Sequence, residues 1–294
     1  KLRRRSRMNE SWVLLQRAAR TTSRDPSLLL AHLFVATLTA LLLGVIYLDS
    51  PLTLAGFQNR AGGMFFTLVF FGLASISAAD RLSAEASIRS REIGSGYHGS
   101  GSYVLSSLAI DIAALRIPAV TVYSVIMYYM MGLRDDVDAF FVFFGVLQLF
   151  VAATTALCGF ISIATSSSAV ANLVCTFVLL LSSMFGGFLV SIGSVPSAIQ
   201  WVQWASVYRY AWGAMLSNEM RDQTFLFDTT FEGSRIEVDV SGQTYLNTFG
   251  LHPKFITRDA LGLFGIFALL VLASYGVLAL RHGGRWWRPA RRRR

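Results

Sequence analysis

Six apolar stretches, each of 19 residues or more, divide this chain, and the polar residues collect between them. They run over 28–48, 61–79, 103–131, 139–164, 169–192 and 260–280. About 20 apolar residues in a helix cross the roughly 30 Å hydrocarbon core of a bilayer, so each stretch predicts a transmembrane span. A membrane β-barrel would instead alternate over segments of about ten residues. The pattern predicts an all-α, polytopic membrane protein with six transmembrane helices. Within the spans, charge appears only in the third, as Asp111 and Arg116.

The connecting segments have patterns of their own. In 8–24, Trp12, Leu15 and Ala19 recur at helical spacing beside Arg17, Arg20 and Arg24, which predicts an N-terminal helix lying at the membrane interface. Asp25-Pro26 ends it. After span two, residues 80–92 are charged and lack glycine and proline, which predicts one short helix. Glu85 and Glu92 are seven apart and share a face of such a helix, as docking carboxylates or as an ordinary solvated surface. Glycines at 94, 96, 99 and 101 then turn the chain into span three. Between spans five and six, Trp201, Trp204 and Trp212 interleave with Tyr208 and Tyr210. Those aromatics predict re-entrant helices at one interface, which need protein around them to satisfy their backbone. Residues 221–258 are polar enough for a small folded cap.

Composition agrees, and charge orients the chain. With 54% hydrophobic and 15% charged residues, 294 residues are too apolar for a soluble domain. Segments 1–25, 80–98 and 281–294 hold 18 of the 26 Lys and Arg, whereas the opposite loops hold seven against 11 Asp and Glu. The positive-inside rule then puts both termini in the cytoplasm and region 193–259 outside. A basic segment 1–25, a six-span domain 26–281 and a basic tail 282–294 follow. Membrane lipid, not nucleic acid, is the partner expected for the net charge of +9.

No catalytic, cofactor-binding or metal site is expected in the chain. The only lysines are Lys1 and Lys254, and no Gly-x-x-x-x-Gly-Lys-Ser/Thr occurs. The four histidines are scattered, and Cys158 and Cys175 both lie in spans. Asp111 and Arg116 form an intramembrane polar pair whose burial costs several kcal/mol if unpaired. They belong either to a network that transmits motion or lines a path, or to a structural arrangement in which Asp111 pairs with a cytoplasmic-side arginine. A five-residue separation on a regular helix favours the second, because it does not put the two on one face.

An ordered set of motifs adds a resemblance. It begins with Arg24-Asp25-Pro26, Gln58-Asn59-Arg60 and Gly63-x-Phe65-Phe66, and continues with Glu85 and Arg91-Glu92-x-x-Ser95-Gly96-Tyr97. Tyr128-x-Met130-x-Gly132-Leu133 and Met184-Phe185-Gly186-Gly187-Phe188-Leu189-Val190 come next. Ile192-x-x-Val195-Pro196, Trp201-x-x-Trp204, Tyr208-x-Tyr210, Asn218-Glu219 and Gly242-x-x-Tyr245-Leu246 complete it. From Trp12 to Leu280 the chain resembles the transmembrane domain of the G subfamily of ABC transporters, an ABC-2 type membrane domain.

That resemblance implies half of an ATP-driven exporter of hydrophobic or amphipathic small molecules or lipids. A second transmembrane half, as homo- or heterodimer, and nucleotide-binding domains holding ATP and Mg would be its partners. No such domain precedes the spans here, so the chain looks like an excised domain or one served by a separate ATPase. The alternative is an ATP-independent channel or carrier. By position, Glu85, Arg91 and Glu92 fall on a cytoplasmic coupling helix that receives the nucleotide domain's motion. Phe188 and Leu189 match a pair that closes the outer exit, and two preceding glycines permit close helix approach. Phe65, Phe66, Phe177, Met184 and Phe185 offer a soft apolar surface suited to substrate contact or to plain helix packing. The last outer loop departs from relatives that carry cysteines and a glycan there, and His98 replaces the second aromatic after Tyr97. A multi-pass protein of the plasma membrane, or of an organelle membrane, is the expected location.

Overall fold

The computed structural model describes residues 13, 16, 26–95, 99–165, 167–190, 196–221, 223–231 and 234–283, with backbone alone at 227–238, 253 and 282–283. The expected interfacial helix over 8–24, apart from the helical Val13 and Gln16, lies outside the described residues. So do Gly96, Tyr97, His98, the turn 191–195 and the tail from 284.

Helix α1 (Ser27–Ile46) buries only Ala36, Ala40 and Gly44. This stripe of small residues at every fourth position lets α1 press against α6 (Ile117–Met130), and a Cβ on Gly44 would lie 2.8 Å from the Met130 sulfur. Leu30, Phe34, Leu42, Val45 and Ile46 project from its other sides, exposed, as lipid-facing residues do. Helix α2 (Leu54–Ala74) starts at Thr53, whose hydroxyl accepts from the Gly56 amide at 3.3 Å. It continues almost unbroken into α3 (Ser77–Ala84), and α4 (Ala86–Gly94) follows. The single helix expected over 80–92 is therefore two, which meet at Glu85.

Span three is one continuous rod of 31 residues. Its α5 (Ser100–Ile110) passes through a π-helical turn, Asp111–Arg116, into α6. Pro118 sits in the first turn of α6, without the N–H that a regular helix would donate backwards and with a ring that crowds the preceding turn. A widened turn just ahead of it accommodates both.

Helix α7 (Val137–Ala164) is the central post, packed against α3, α5, α6, α8 (Ser168–Met184), α9 (Val207–Met220) and α11 (Ile256–Gly283). The core gathers around Phe143, Leu147, Phe150 and Val151 of α7 with Leu68, Tyr123, Tyr208 and Trp212. Helix α9 is preceded by a 3-10 turn, Gln200–Ala205, and capped by Ser206, which accepts from the Arg209 amide at 3.3 Å. Nearly all of α9 is buried in protein, the condition a re-entrant segment requires.

Among the described residues, five helical segments are long and apolar enough to cross a membrane: Ser27–Ile46, Leu54–Ala84, Ser100–Met130, Val137–Ala164 and Ile256–Arg281. Helix α8 is apolar but only 17 residues long. The fifth stretch was expected to stay in the membrane to 192; its helix stops at Met184, and Gly187 takes a left-handed φ of 95° that a side chain would resist. One part of the chain is not helical at all. Strands β1 (Thr224–Phe231) and β2 (Ser234–Ser241) form an antiparallel hairpin, so the polar cap is α+β where the expectation was all-α. The hairpin is tied to the start of α2 by Leu226 N–H donating to Leu52 O at 2.9 Å, and α10 (Gly242–Thr248) follows it.

Candidate functional site: a buried polar network and the segment it reaches

The charged residues of span three are brought together by the shape of the helix. Arg116 Nε donates to Asp111 Oδ2 at 3.2 Å, with both side chains at 1–2% exposure. On a regular helix a five-residue spacing would separate them; the π turn gives back the missing angle, which corrects the spacing argument. Asp111 was expected to pair with a cytoplasmic-side arginine, and Arg81 Nε of α3 donates to its Oδ1 at 3.1 Å. One carboxylate thus receives two guanidinium groups, which offsets the penalty for burying it.

From this centre the contacts run both ways. Arg116 Nη1 donates to the Ala74 carbonyl at 3.1 Å and its Nη2 to Ser77 Oγ at 2.8 Å. Ser77 Oγ also meets His32 Nε2 at 3.2 Å, while His32 Nδ1 donates to the Leu28 carbonyl at 2.7 Å. In the other direction Arg81 donates to Ser107 Oγ and to the Ser107 carbonyl at 3.3 and 3.2 Å, and its Nη1 lies 3.5 Å from Glu85 Oε1. Tyr103 donates to Glu85 Oε2 at 2.7 Å, and the Arg89 guanidinium lies over the Tyr103 ring. A string of polar contacts therefore joins α1 to Glu85 at the α3–α4 junction, through the middle of the bundle.

Of the three residues expected on one coupling helix, Glu85 is wired into this network. Arg91 and Glu92 lie on α4, Arg91 exposed and Glu92 half-buried. The break at Glu85 removes the shared helical face that the seven-residue spacing implied.

Phe188 follows the left-handed Gly187 and packs within its own chain, 5.0 Å from the Phe65 ring and 5.8 Å from Trp212. Leu189 is 56% exposed. Among the apolar residues singled out for substrate contact, Phe65 is buried behind Phe188 and Phe185 is half-buried. Phe66, Phe177 and Met184 are exposed on α2 and α8. On α8, Val170, Leu173, Phe177, Leu181 and Met184 form an exposed stripe at helical spacing.

A second buried ion pair lies at the hairpin end. Arg60 Nη1 donates to Glu219 Oε1 and Arg60 Nη2 to the Ser50 carbonyl at 2.7 Å. The Arg134 amide donates to Glu219 Oε1 and Oε2 at 3.2 and 3.1 Å. Burial pushes the Glu219 carboxyl above its ordinary value, and Arg60 with the Arg134 amide opposes that shift. Asn218 Nδ2 caps the arrangement by donating to Ala139 O at 2.9 Å. In the sequence, Arg60 and Asn218-Glu219 stand as motif residues with no role attached. The available signal was one charge of each sign set beside apolar helices on the same side of the chain.

A family model described as ABC-2 type transporter matches residues 9–220. The chain belongs to the ABC-2 type transporter family. The match takes in both ion pairs, Glu85 and Phe188, and ends before the hairpin. Among curated proteins, the chain is 31% identical over 216 residues to the mouse (Mus musculus) broad substrate specificity ATP-binding cassette transporter ABCG2, covering 73% of this chain and 32% of that protein. It is 29% identical over 275 residues to a probable ATP-dependent permease of Saccharomyces cerevisiae, covering 92% and 25%. Protein white of Drosophila melanogaster is 28% identical over 268 residues, covering 91% and 38%. The chain thus spans between a quarter and two-fifths of the length of these relatives. It is an ABC-2 membrane domain of ABCG-like type, a multi-pass helical membrane protein, and its residues contain no ATP-hydrolysing motif. Among the described residues no cluster of His, Cys, Asp and Glu could hold a metal.

Proposed function

We propose that this ABC-2 domain is the membrane-spanning half of an ATP-driven exporter of hydrophobic or amphipathic small molecules or lipids. It works as a dimer with a second transmembrane half and with nucleotide-binding domains that bind ATP and Mg. The observation that carries this reading is the polar string from Glu85 through Arg81 to Asp111 and Arg116. A half-exposed carboxylate at a helix junction, bonded to a buried charge centre in mid-bundle, is the arrangement by which motion at a docked ATPase reaches the spans. Glu85, Arg91 and Glu92 receive that motion. The exposed apolar surface of Phe66, Phe177 and Met184, with Phe185, meets substrate; Phe65 backs Phe188, and Phe188 with Leu189 closes the exit. Helix α8 serves as the fifth of six spans, its 17 residues extended by 185–190. Both termini face the cytoplasm of a plasma-membrane protein, and the hairpin faces outward.

The test is ATP turnover of the assembled transporter in proteoliposomes. Glu85→Ala is expected to cut substrate-stimulated turnover about fivefold or more, at normal abundance. Unchanged stimulation would remove Glu85 from coupling, and substrate flux that persists without ATP would favour a channel or carrier. For orientation, single cysteines at Ser90 and Ser234 are expected to label from opposite sides; labelling from one side overturns the topology.

A further inference from the structure

A cavity of about 190 Å³ lies between α1, α2 and the start of α6. Val35, Ala36, Phe70, Phe71 and Ala119 make its walls apolar, and His32 and Arg116 supply its polar end. Leu28 and Val35 at its rim are 40% and 47% exposed, so it opens sideways on the surface where α1 presents its apolar side chains.

Arg116 has more donors than the network uses. A guanidinium carries five N–H groups: one on Nε and two on each Nη. Asp111 takes the Nε group, the Ala74 carbonyl takes one from Nη1, and Ser77 takes one from Nη2. One N–H on each Nη is left, and a carboxylate can accept from such donors. The local charge agrees. Asp111 is shared between Arg81 and Arg116, so the three together keep one positive charge, and Glu85, which balances Arg81, is 42% exposed and screened by water.

We propose that this cavity binds a single-chain anionic amphiphile, a long-chain fatty-acid anion. Its carboxylate sits on Arg116 beside His32, and the first part of its chain lies against Val35, Phe70 and Phe71. The size favours one chain: sites that enclose drug-sized ligands measure about 300–1,000 Å³. Here only the head and the adjoining methylenes are enclosed, and the rest of the chain runs out along α1 into the bilayer. The site belongs to one chain and does not depend on the transport reading.

The test uses the full chain in nanodiscs of zwitterionic lipid, with radiolabelled oleate as the probe. Saturable binding is expected, weakened about tenfold or more by Arg116→Gln, a loss of roughly 1.4 kcal/mol. Asp111 keeps Arg81 in that variant, and its thermal melting is followed as a control. Val35→Trp, on the exposed rim, blocks the cavity without touching the network and is expected to weaken oleate to a similar degree. Oleyl alcohol, with the same chain and no charge, is expected to bind at least about tenfold more weakly than oleate. Equal oleate binding in both variants, or equal affinity of the alcohol, overturns the proposal in favour of plain partition into the bilayer. Phosphatidylserine displacing oleate at lower concentration than unlabelled oleate does overturns it in favour of a phospholipid headgroup site.

Discussion

The two buried charge centres differ in what surrounds them. At the hairpin end, Glu219 is enclosed by Arg60 and the Arg134 amide, drawn from segments 159 and 85 residues away in sequence. Its exposure is 1%, and its charged partner Arg60, at 4%, is also buried. In mid-bundle, Asp111 is as deeply buried, yet its partner Arg81 leads within one further contact to the half-exposed Glu85. Arg116, on its other side, lines an open cavity. The first arrangement is a clamp that fixes α2, α9 and the loop after α6. The second has an end at the surface, which is where the proposed coupling to a docked ATPase would act. Equal burial of charge therefore does not imply equal purpose; the connection to the surface does.

The largest effect is expected at the clamp. Arg60→Ala or Glu219→Ala leaves an unpaired buried charge, which destabilises by about 3–5 kcal/mol. Lost folded protein in size-exclusion and thermal-melting assays checks this. Replacing both residues with methionine is expected to regain much of the loss, and no regain over the single variants would show that the clamp is not a simple ion pair.

A smaller effect on folding is expected for Asp111→Asn. It keeps the shape and removes one charge from between two arginines, at about 1.5–3 kcal/mol for charge-assisted hydrogen bonds. Melting temperature and substrate-stimulated ATP turnover should fall together. A variant that melts normally yet loses stimulation would sharpen the contrast with the clamp; one that loses neither would erase it.

Much of the bundle could be read from the chain, because a run of apolar residues needs no tertiary context to declare itself. Five of the six stretches coincide with helices long enough to span, including the charge-bearing third. The hairpin could not be read in the same way: its signal is the alternation of Ile236, Val238 and Val240 with polar residues in β2, not an apolar run, and its pairing also depends on Leu52. At the site, Asp111 and Arg116 declared themselves as charges in an apolar run, but their contact depends on a π turn that residue spacing alone does not announce. Glu85 and Glu92 show the reverse. Their spacing implied one face, and the helix break at Glu85 parts them.

The smallest stability change is expected for Glu85→Ala. Its ion pair with Arg81 is half-exposed, so removal should alter folding free energy by about 0.2–1 kcal/mol, visible as a slight shift in melting. A large drop in stability would make Glu85 part of the fold and not of the machinery.

The proposed coupling makes Glu85 and Asp111 one unit in passing motion into the spans. A double-mutant cycle of Glu85→Ala and Asp111→Asn, read by substrate-stimulated ATP turnover in proteoliposomes, tests it most directly. Residues in one network show interaction energies of about 0.5–3 kcal/mol, so the double variant should lose little more stimulation than Asp111→Asn alone. Losses that simply add, at normal abundance of all three variants, would contradict the claim.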